Sequence, residues 1–164
     1  MDENTKALIE GYLFALDTIY VEQEHLAAEA KRVADEFWAF HHSNNGKRPL
    51  QERSQLACRV RPANGGVVRI EWMETIWRYS DNSPPKPYYR YIRKGRSTAQ
   101  YPMSRLRQLA KDWEWDVVVK CEEAFAAIRA LSSQAGRIRT ALRAHLRRFG
   151  VNIDSVPERI DDDD

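Results

Sequence analysis

The chain has 164 residues, of which 43% are hydrophobic, so it is long enough to bury the core of one domain and wholesale disorder is excluded. Its net charge of +2 averages over segments of different sign. Residues 47–111 contain 15 lysines and arginines against 4 acidic residues, whereas residues 1–46 contain 3 against 9 and residues 112–164 contain 8 against 11. A basic segment between two acidic ones favours an anionic partner.

Cysteine usage and hydropathy indicate the compartment. Cys58 and Cys121 stand alone, without a CxxC pair or a histidine cluster, which is typical of reduced thiols and not of a zinc site. No apolar run approaches the roughly 20 residues that a membrane-spanning helix needs, and the first residues lack a signal-peptide pattern. We therefore expect a soluble cytoplasmic protein with no membrane association.

The first predicted element is a long helix over residues 3–42. One face of it repeats at alternating spacings of three and four, which is typical of a coiled-coil seam. The seam residues are Ile9, Tyr12, Leu16, Ile19, Gln23, Leu26, Ala30, Val33, Phe37 and Phe40. His25, His41 and His42 lack the spacing of a metal site, so we expect them on the surface or at the helix end.

The period changes from helical to two at Leu56, which predicts an antiparallel sheet of three or four strands over residues 55–94. Asn64-Gly65 between two alternating runs predicts a hairpin. The alternation breaks near Met73-Glu74, where we expect a bulge or a turn. One face of the sheet should be packed and the other exposed. The residues expected on the exposed face are Arg59, Arg61, Arg69 and, further along, Arg78, Arg90 and Arg93.

A second long helix is predicted over residues 102–149, because Pro102 suits a first helical turn and the seam spacing returns. The seam residues are Leu106, Ala110, Trp113, Val117, Cys121, Ala124, Ile128, Leu131, Ala135, Ile138, Leu142, His145 and Phe149. The predicted fold is α+β, with the two long helices in an antiparallel coiled-coil-like hairpin and the small sheet inserted between them. A homodimer that pairs the seams between two chains fits the pattern equally well.

The end of the second helix is basic. Arg137, Arg139, Arg143, Arg147 and Arg148 follow one another with no acidic residue between them. Cations favour helix C-termini, and we expect these to pair with the acidic first helix; a second DNA-contacting patch is the less favoured alternative. Residues 1–150 would form a single domain, and residues 151–164 a flexible acidic tail.

The segment from Tyr88 to Trp115 carries the strongest functional signal. It begins as an aromatic, basic strand and passes through a glycine-containing basic turn into the second helix. Cations combined with flat aromatic rings are typical of a surface that binds a phosphate backbone. A sheet edge kept soluble by positive charge is the structural alternative. The candidate DNA contacts are Arg59, Arg61, Arg69, Arg78, Arg90, Arg93, Lys94, Arg96, Arg105, Arg107 and Lys111.

Aromatic residues of the sheet have two interpretations. They could stack on unpaired bases. Such residues more often cover the core of a small sheet, and we expect that for most of them. The residues concerned are Trp72, Trp77, Tyr88, Tyr89 and Tyr91.

Catalytic signatures are missing from the sequence. There is no GxGxxG, Walker loop, GxSxG or HExxH motif. Cys58 falls on the packed face of a strand and Cys121 on a helix seam, so neither is expected to be an accessible thiolate. Glu71 and Glu74 are an alternative metal-binding pair for a nuclease, but surface charges within a basic sheet are favoured. We expect no enzymatic activity, no metal and no cofactor.

Five short motifs run along the chain: ADEFW at Ala34–Trp38, RIEW at Arg69–Trp72, YIRKG at Tyr91–Gly95, YP at Tyr101-Pro102 and LAKDWEW at Leu109–Trp115. Together they resemble MobI-type conjugative transfer proteins over roughly residues 30–140. The resemblance implies an auxiliary factor of bacterial conjugation, encoded on plasmids or integrative elements. Such a factor acts at the origin of transfer alongside a relaxase. The resemblance carries no catalytic residue over to this chain.

These observations lead to one preferred hypothesis and two others. The preferred one is a non-catalytic DNA-binding protein of the relaxosome that docks its basic sheet and the Arg93–Lys111 segment on duplex DNA at an origin of transfer. The second is a coiled-coil adaptor that joins proteins of a mobile-element complex without binding DNA. The third is an inhibitor of a host defence protein whose acidic helix mimics nucleic acid, against which the basic centre argues.

Overall fold

The computed structural model describes residues 1–63, 65–95 and 99–153. The elements are α1 (Glu3–Asn45), β1 (Leu56–Ala63), β2 (Val67–Ser80), β3 (Ser83–Tyr91), α2 (Met103–Leu109) and α3 (Trp115–Arg148). Short 3₁₀ turns at Leu50–Glu52 and Asp112–Glu114 precede β1 and α3. The three strands form one antiparallel sheet in the order β1-β2-β3. The predicted α+β class is confirmed.

Side-chain caps define both ends of α1. The Asp2 carboxylate accepts a hydrogen bond from the Thr5 N–H at 2.7 Å, which satisfies a free amide of the first turn and lowers the pKa of Asp2. At the other end, Asn45 accepts from the Ser54 N–H at 2.8 Å and donates to the Ser54 carbonyl at 3.1 Å. This pair of bonds directs the chain into β1 and extends the helix nearly one turn past the predicted end at residue 42.

The packed face of the sheet lies between the two long helices. Trp72 on β2 is fully buried, with its ring edge-on to Phe37 of α1 at 5.2 Å and to Phe125 of α3 at 5.8 Å. α1 and α3 run antiparallel, since Tyr12 stacks on His145 with ring centroids 5.3 Å apart. The prediction was that the two long helices pair along their seams as a coiled-coil-like hairpin. This pairing is not confirmed, because the sheet lies between α1 and α3.

The prediction of a single helix over residues 102–149 is wrong. Ala110 and Lys111 have extended backbones, with ψ of 144° and 157°, and separate α2 from α3. The buried Glu114 carboxylate accepts a hydrogen bond from the Lys111 N–H at 3.0 Å and so stabilises the new helix start. The buried face of α3 keeps the predicted Cys121, Ile128 and Ala135, whereas Val118, Phe125 and Ser132 are buried in place of the predicted Val117, Ala124 and Leu131. Leu131, predicted on the seam, is 46% exposed.

A second core cluster joins the start of α1 to the end of α3. It contains Ile9, Leu16, Leu146 and Ile153, so residues 151–153 belong to the packed structure and not to the predicted tail. The rest of that tail, residues 154–164, lies outside the described residues. Near this cluster Arg143 donates to the Tyr20 hydroxyl at 2.9 Å.

Candidate nucleic-acid interface

The register of β1 and β2 collects arginines on one face of the sheet. Arg59 pairs with Glu71 and Arg61 with Arg69, without interruption along the two strands. Because successive side chains alternate between faces, these four project away from the side that buries Trp72. Further along β2, Trp77 lies on the same side, and the register of β3 adds Tyr89 and Tyr91. We define the outer face as Arg59, Arg61, Arg69, Glu71, Trp77, Tyr89 and Tyr91.

Positive charge on the outer face is only partly compensated. The Glu71 carboxylate accepts from Arg61 at 3.2 Å, which raises the pKa of that guanidinium, and from Arg59 at 3.4 Å. Arg69 is exposed and lies directly opposite Arg61. Like charges in a cross-strand pair destabilise a sheet. Glu71 is the only acidic residue on this side of the three described strands. The arrangement is suited to a polyanion that neutralises the arginines from outside.

The aromatic residues of the outer face are open to solvent. Trp77, Tyr89 and Tyr91 are 48%, 44% and 49% exposed. Tyr88 on the other side of the strand is 45% exposed, and only Trp72 covers the core, so the expectation that most of these rings are buried is wrong. The Arg59 guanidinium lies 5.3 Å from the centre of the Tyr91 ring and also donates to its hydroxyl.

Strand length explains this exposure. β1 begins at Leu56, opposite Glu74, so β2 continues beyond Glu74 with β3 as its only paired strand, apart from one hydrogen bond from the Thr75 N–H to the Gln55 carbonyl at 2.7 Å. The result is a two-stranded ribbon, formed by residues 75–80 and 83–89, that extends past the core. The predicted irregularity near Met73-Glu74 is wrong, since the first register shift falls between Arg78 and Ser80. A two-stranded ribbon has the dimensions to enter a DNA major groove.

The unbroken register moves two predicted residues off the outer face. Arg78 and Arg90 lie on the opposite side of the ribbon, which corrects the expectation that they accompany Arg59. The Arg78 guanidinium lies 4.1 Å from the centre of the Tyr88 ring. Arg90 donates from Nε to the Glu74 carboxylate at 3.0 Å, across the strands.

The remaining predicted residues follow β3. Arg93 and Arg105 line a surface pocket of about 360 Å³ together with Arg90 and Glu74, and of these three arginines Arg90 is the one paired with Glu74. Lys94 is half-buried, and Arg96 lies outside the described residues.

The last two predicted residues make contacts within the protein. Arg107 is paired with Asp112 and lies 5.2 Å from the centre of a Trp115 ring. The Lys111 ammonium donates to the Gln51 carbonyl at 3.1 Å. Arg107 therefore joins α2 to the start of α3, and Lys111 joins the segment between them to the 3₁₀ turn before β1.

The family model described as MobI protein matches residues 26–143 of this chain. This chain belongs to the MobI family. The match confirms the resemblance seen over roughly residues 30–140, and it includes the whole outer face. Comparisons with curated proteins and with solved structures gave no match. Membership indicates an accessory protein of conjugative mobilisation.

The sheet of this MobI family member is anchored by a buried ion pair that the sequence pattern did not reveal. Glu122 and Arg129 are 0% and 9% exposed, and two hydrogen bonds of 3.0 Å join them. The Trp72 indole N–H donates to Glu122 at 2.7 Å, and Arg129 donates to the Ile70 carbonyl at 3.1 Å. The only available signal was the spacing of seven, which places both residues on the same side of α3.

His41 was expected on the surface or at the helix end; it lies near the end of α1, but it is buried. It is 6% exposed, and its Nδ1 lies 3.4 Å from the buried Glu114 carboxylate. Its Nε2 lies 3.1 Å from the Asn45 side-chain nitrogen, which favours a tautomer with the proton on Nδ1, facing Glu114. The histidine therefore connects the end of α1 to the turn before α3.

Other reactive groups of this MobI family member are shielded. Burial raises the pKa of both cysteine thiols, that of Cys121 to about 11. Among the described residues, no three histidine, cysteine or acidic side chains come together as metal ligands. Over the same residues, no helix has the length and apolarity to cross a membrane.

Proposed function

We propose that this MobI family member is a non-catalytic DNA-binding accessory protein of conjugative transfer that docks on duplex DNA at an origin of transfer, beside a relaxase in the cytoplasm. The observation that carries the proposal is the cross-strand pair of Arg61 and Arg69 on an exposed face with a single carboxylate. An isolated protein gains no stability from two opposed arginines. A phosphate backbone makes the same arrangement favourable by releasing its counterions.

The proposed docking has two regions. Arg59, Arg61 and Arg69 contact phosphates from the outer face, while Arg93 and Arg105 at the neighbouring pocket extend the contact along the backbone. Phosphate contacts fix the orientation of the protein on the duplex. The protruding β2–β3 ribbon would then reach base edges in the major groove, which supports recognition of a particular origin sequence.

The test measures the affinity for duplex DNA, with and without an origin-of-transfer sequence, at a series of salt concentrations. For the wild type, log K should fall with log salt with a slope of about 0.9 per neutralised phosphate. The variant Arg61→Ala/Arg69→Ala should have a slope smaller by about two phosphates, or roughly 1.8. The matched control is Lys6→Ala, which removes an exposed cation from the acidic α1. Equal slopes for all three proteins, or no binding at low salt, would contradict the proposal.

A second candidate function is an adaptor between proteins of the mobilisation complex. Phe14 favours it, because this large side chain on α1 is 76% exposed in a region that also exposes Glu10 and Asp17. An exposed aromatic residue among acidic ones is suited to a basic protein surface. Phe14→Ala should then weaken co-purification with the relaxase and leave DNA affinity unchanged.

A further inference from the structure

Three aromatic rings follow one another across the outer face. Tyr89 pairs with Thr75 and Trp77 pairs with Pro87, so Tyr89 and Trp77 are diagonal neighbours on two strands. Tyr91 is two residues further along β3, a displacement of about 6.7 Å at the usual rise of an extended strand. Each ring is between 44% and 49% exposed.

The hydrophobic core does not require these three aromatic side chains. The core on the other side of the sheet is closed by Trp72, which is fully buried. Trp77 and Tyr89 lie in the ribbon, beyond the residues of β2 that pair with β1. Contiguous exposed apolar surface on a folded protein usually marks a binding site.

The neighbours of these rings indicate the chemistry of the ligand. The aromatic row continues into Arg59, Arg61 and Arg69 on the same face. Flat apolar surfaces beside three arginines that share a single carboxylate match a ligand that has flat bases along an anionic backbone. In a duplex, each base already stacks on its neighbours, so only an unpaired strand can offer its base faces to the protein.

We propose that the outer face binds single-stranded DNA, with bases stacked on Trp77 and Tyr89 and with phosphates on Arg61 and Arg69. This proposal rests on the proposed function, because it takes DNA as the ligand. Tyr91 has a supporting role, since its ring and hydroxyl hold the Arg59 guanidinium beside the path of the strand. The outer face would thus bind an unpaired strand in place of the duplex, through the same arginines.

Two adjacent tyrosines provide a matched pair of variants for the test. Tyr89 is 44% exposed on the outer face, and Tyr88 is 45% exposed on the opposite side beside Arg78. Affinity is measured by fluorescence anisotropy with an oligothymidylate of roughly 20 nucleotides, longer than the site of a typical single-strand binding fold. Tyr89→Ala should weaken binding about tenfold, as expected for one stacked base, whereas Tyr88→Ala should leave it within about twofold.

Two further measurements separate stacking from a loss of folding. Tyr89→Phe keeps the ring and should retain wild-type affinity. Tyr89→Ala should keep the wild-type thermal midpoint, whereas a damaged sheet would lower it. Of the five tryptophans, Trp77 is the one that is exposed, so its fluorescence should be quenched more strongly by the oligothymidylate than by the same sequence in a duplex. The Trp77→Phe variant should lose that signal.

The outcomes distinguish this proposal from the one on which it rests. Equal affinities of Tyr89→Ala and Tyr88→Ala for the oligothymidylate would overturn the stacking proposal, even if duplex binding depends on Arg61 and Arg69 as expected. An equal loss of affinity for duplex and single strand in Tyr89→Ala would overturn it too, because stacking requires unpaired bases. Binding to neither form of DNA at low salt would overturn both proposals.

Discussion

Glu122 and Arg129 face each other inside the protein, with each guanidinium nitrogen Nη1 and Nη2 3.0 Å from a separate carboxylate oxygen. The remaining groups are also satisfied: the Tyr101 N–H donates to Glu122 at 2.7 Å, and Arg129 donates to the Ala99 carbonyl at 2.7 Å. A buried ion pair is tolerated only when its hydrogen bonds are complete in this way. The pair ties α3 to β2 and to the segment before α2, so it fixes the sheet that carries the outer face.

Removing one partner of the Glu122–Arg129 ion pair should lower the free energy of unfolding. Glu122→Ala leaves the Arg129 guanidinium buried without its counterion, and we expect a loss of about 3–5 kcal/mol in the free energy of unfolding. Glu123→Ala is the control, since the adjacent Glu123 is exposed on the same helix and should change stability by less than about 0.5 kcal/mol. Urea unfolding followed by circular dichroism measures both. Similar values for the two variants would show that the ion pair is not stabilising.

The strands and helices of this chain could be predicted because the spacing of apolar residues differs between the two kinds of element. α1 begins at the expected residue, the three strands lie within the predicted residues 55–94, and Cys58, Ile70 and Trp72 occupy the packed face as alternation requires. The break at Ala110 could not be foreseen, since no proline or glycine marks it. It depends on Glu114, whose carboxylate is buried by tertiary contacts that a linear pattern does not contain.

The candidate site was predictable in part for a similar reason. Arg59, Arg61 and Arg69 were placed on one face by alternation alone. Arg78 and Arg90 were assigned to the wrong face because an irregularity was expected at Met73, where the strand is in fact continuous. The exposure of Trp77 and Tyr89 depends on where β1 begins relative to β2, and a strand's partner is a nonlocal property.

Two glycines should respond to alanine in opposite ways. Gly11 lies in the middle of α1 with open space around it, so Gly11→Ala should raise the free energy of unfolding by about 0.8–1 kcal/mol. Gly66 has a φ of +68°, and an added Cβ would lie 2.5 Å from the Gln23 side-chain oxygen. Gly66→Ala should therefore destabilise by about 1–3 kcal/mol. Thermal unfolding of both variants measures this, and a stabilising Gly66→Ala would contradict the hairpin geometry.

The buried thiols predict a dependence of stability on alkaline pH. Burial raises the pKa of Cys121 from 9.0 to about 11, and it raises that of Cys58 as well. Between these two values the unfolded state loses thiol protons that the folded state keeps, so stability is full below about pH 9 and falls as the pH rises toward 11.

The corresponding measurement compares unfolding of the wild type and of Cys58→Ala/Cys121→Ala across that range. The double variant should have a flatter pH dependence, with some slope remaining because burial also raises the pKa of Tyr101. In the native wild type, a disulfide-exchange reagent should react with neither thiol at neutral pH. Rapid reaction of one thiol without unfolding would contradict its burial.

Glu71 should act as an internal competitor of DNA. Its carboxylate holds Arg59 and Arg61 at 3.4 and 3.2 Å, so each phosphate that reaches these guanidiniums must displace it. Glu71→Gln removes the negative charge, and it should strengthen duplex binding several-fold at low salt and steepen the salt dependence by about 0.9 for each additional phosphate contact. The loss of two half-exposed surface ion pairs should cost the fold less than about 1 kcal/mol.

The matched control for Glu71→Gln is Glu74→Gln. This substitution frees Arg90, which lies with Glu74 on the side of the ribbon opposite the outer face. If DNA docks mainly on the outer face, Glu71→Gln should steepen the salt dependence more than Glu74→Gln, which frees positive charge only at the pocket lined by Arg93 and Arg105. The reverse result would transfer the DNA contact to the side of Arg78 and Arg90, and weaker binding by Glu71→Gln would mean that the carboxylate positions the arginines instead of competing for them.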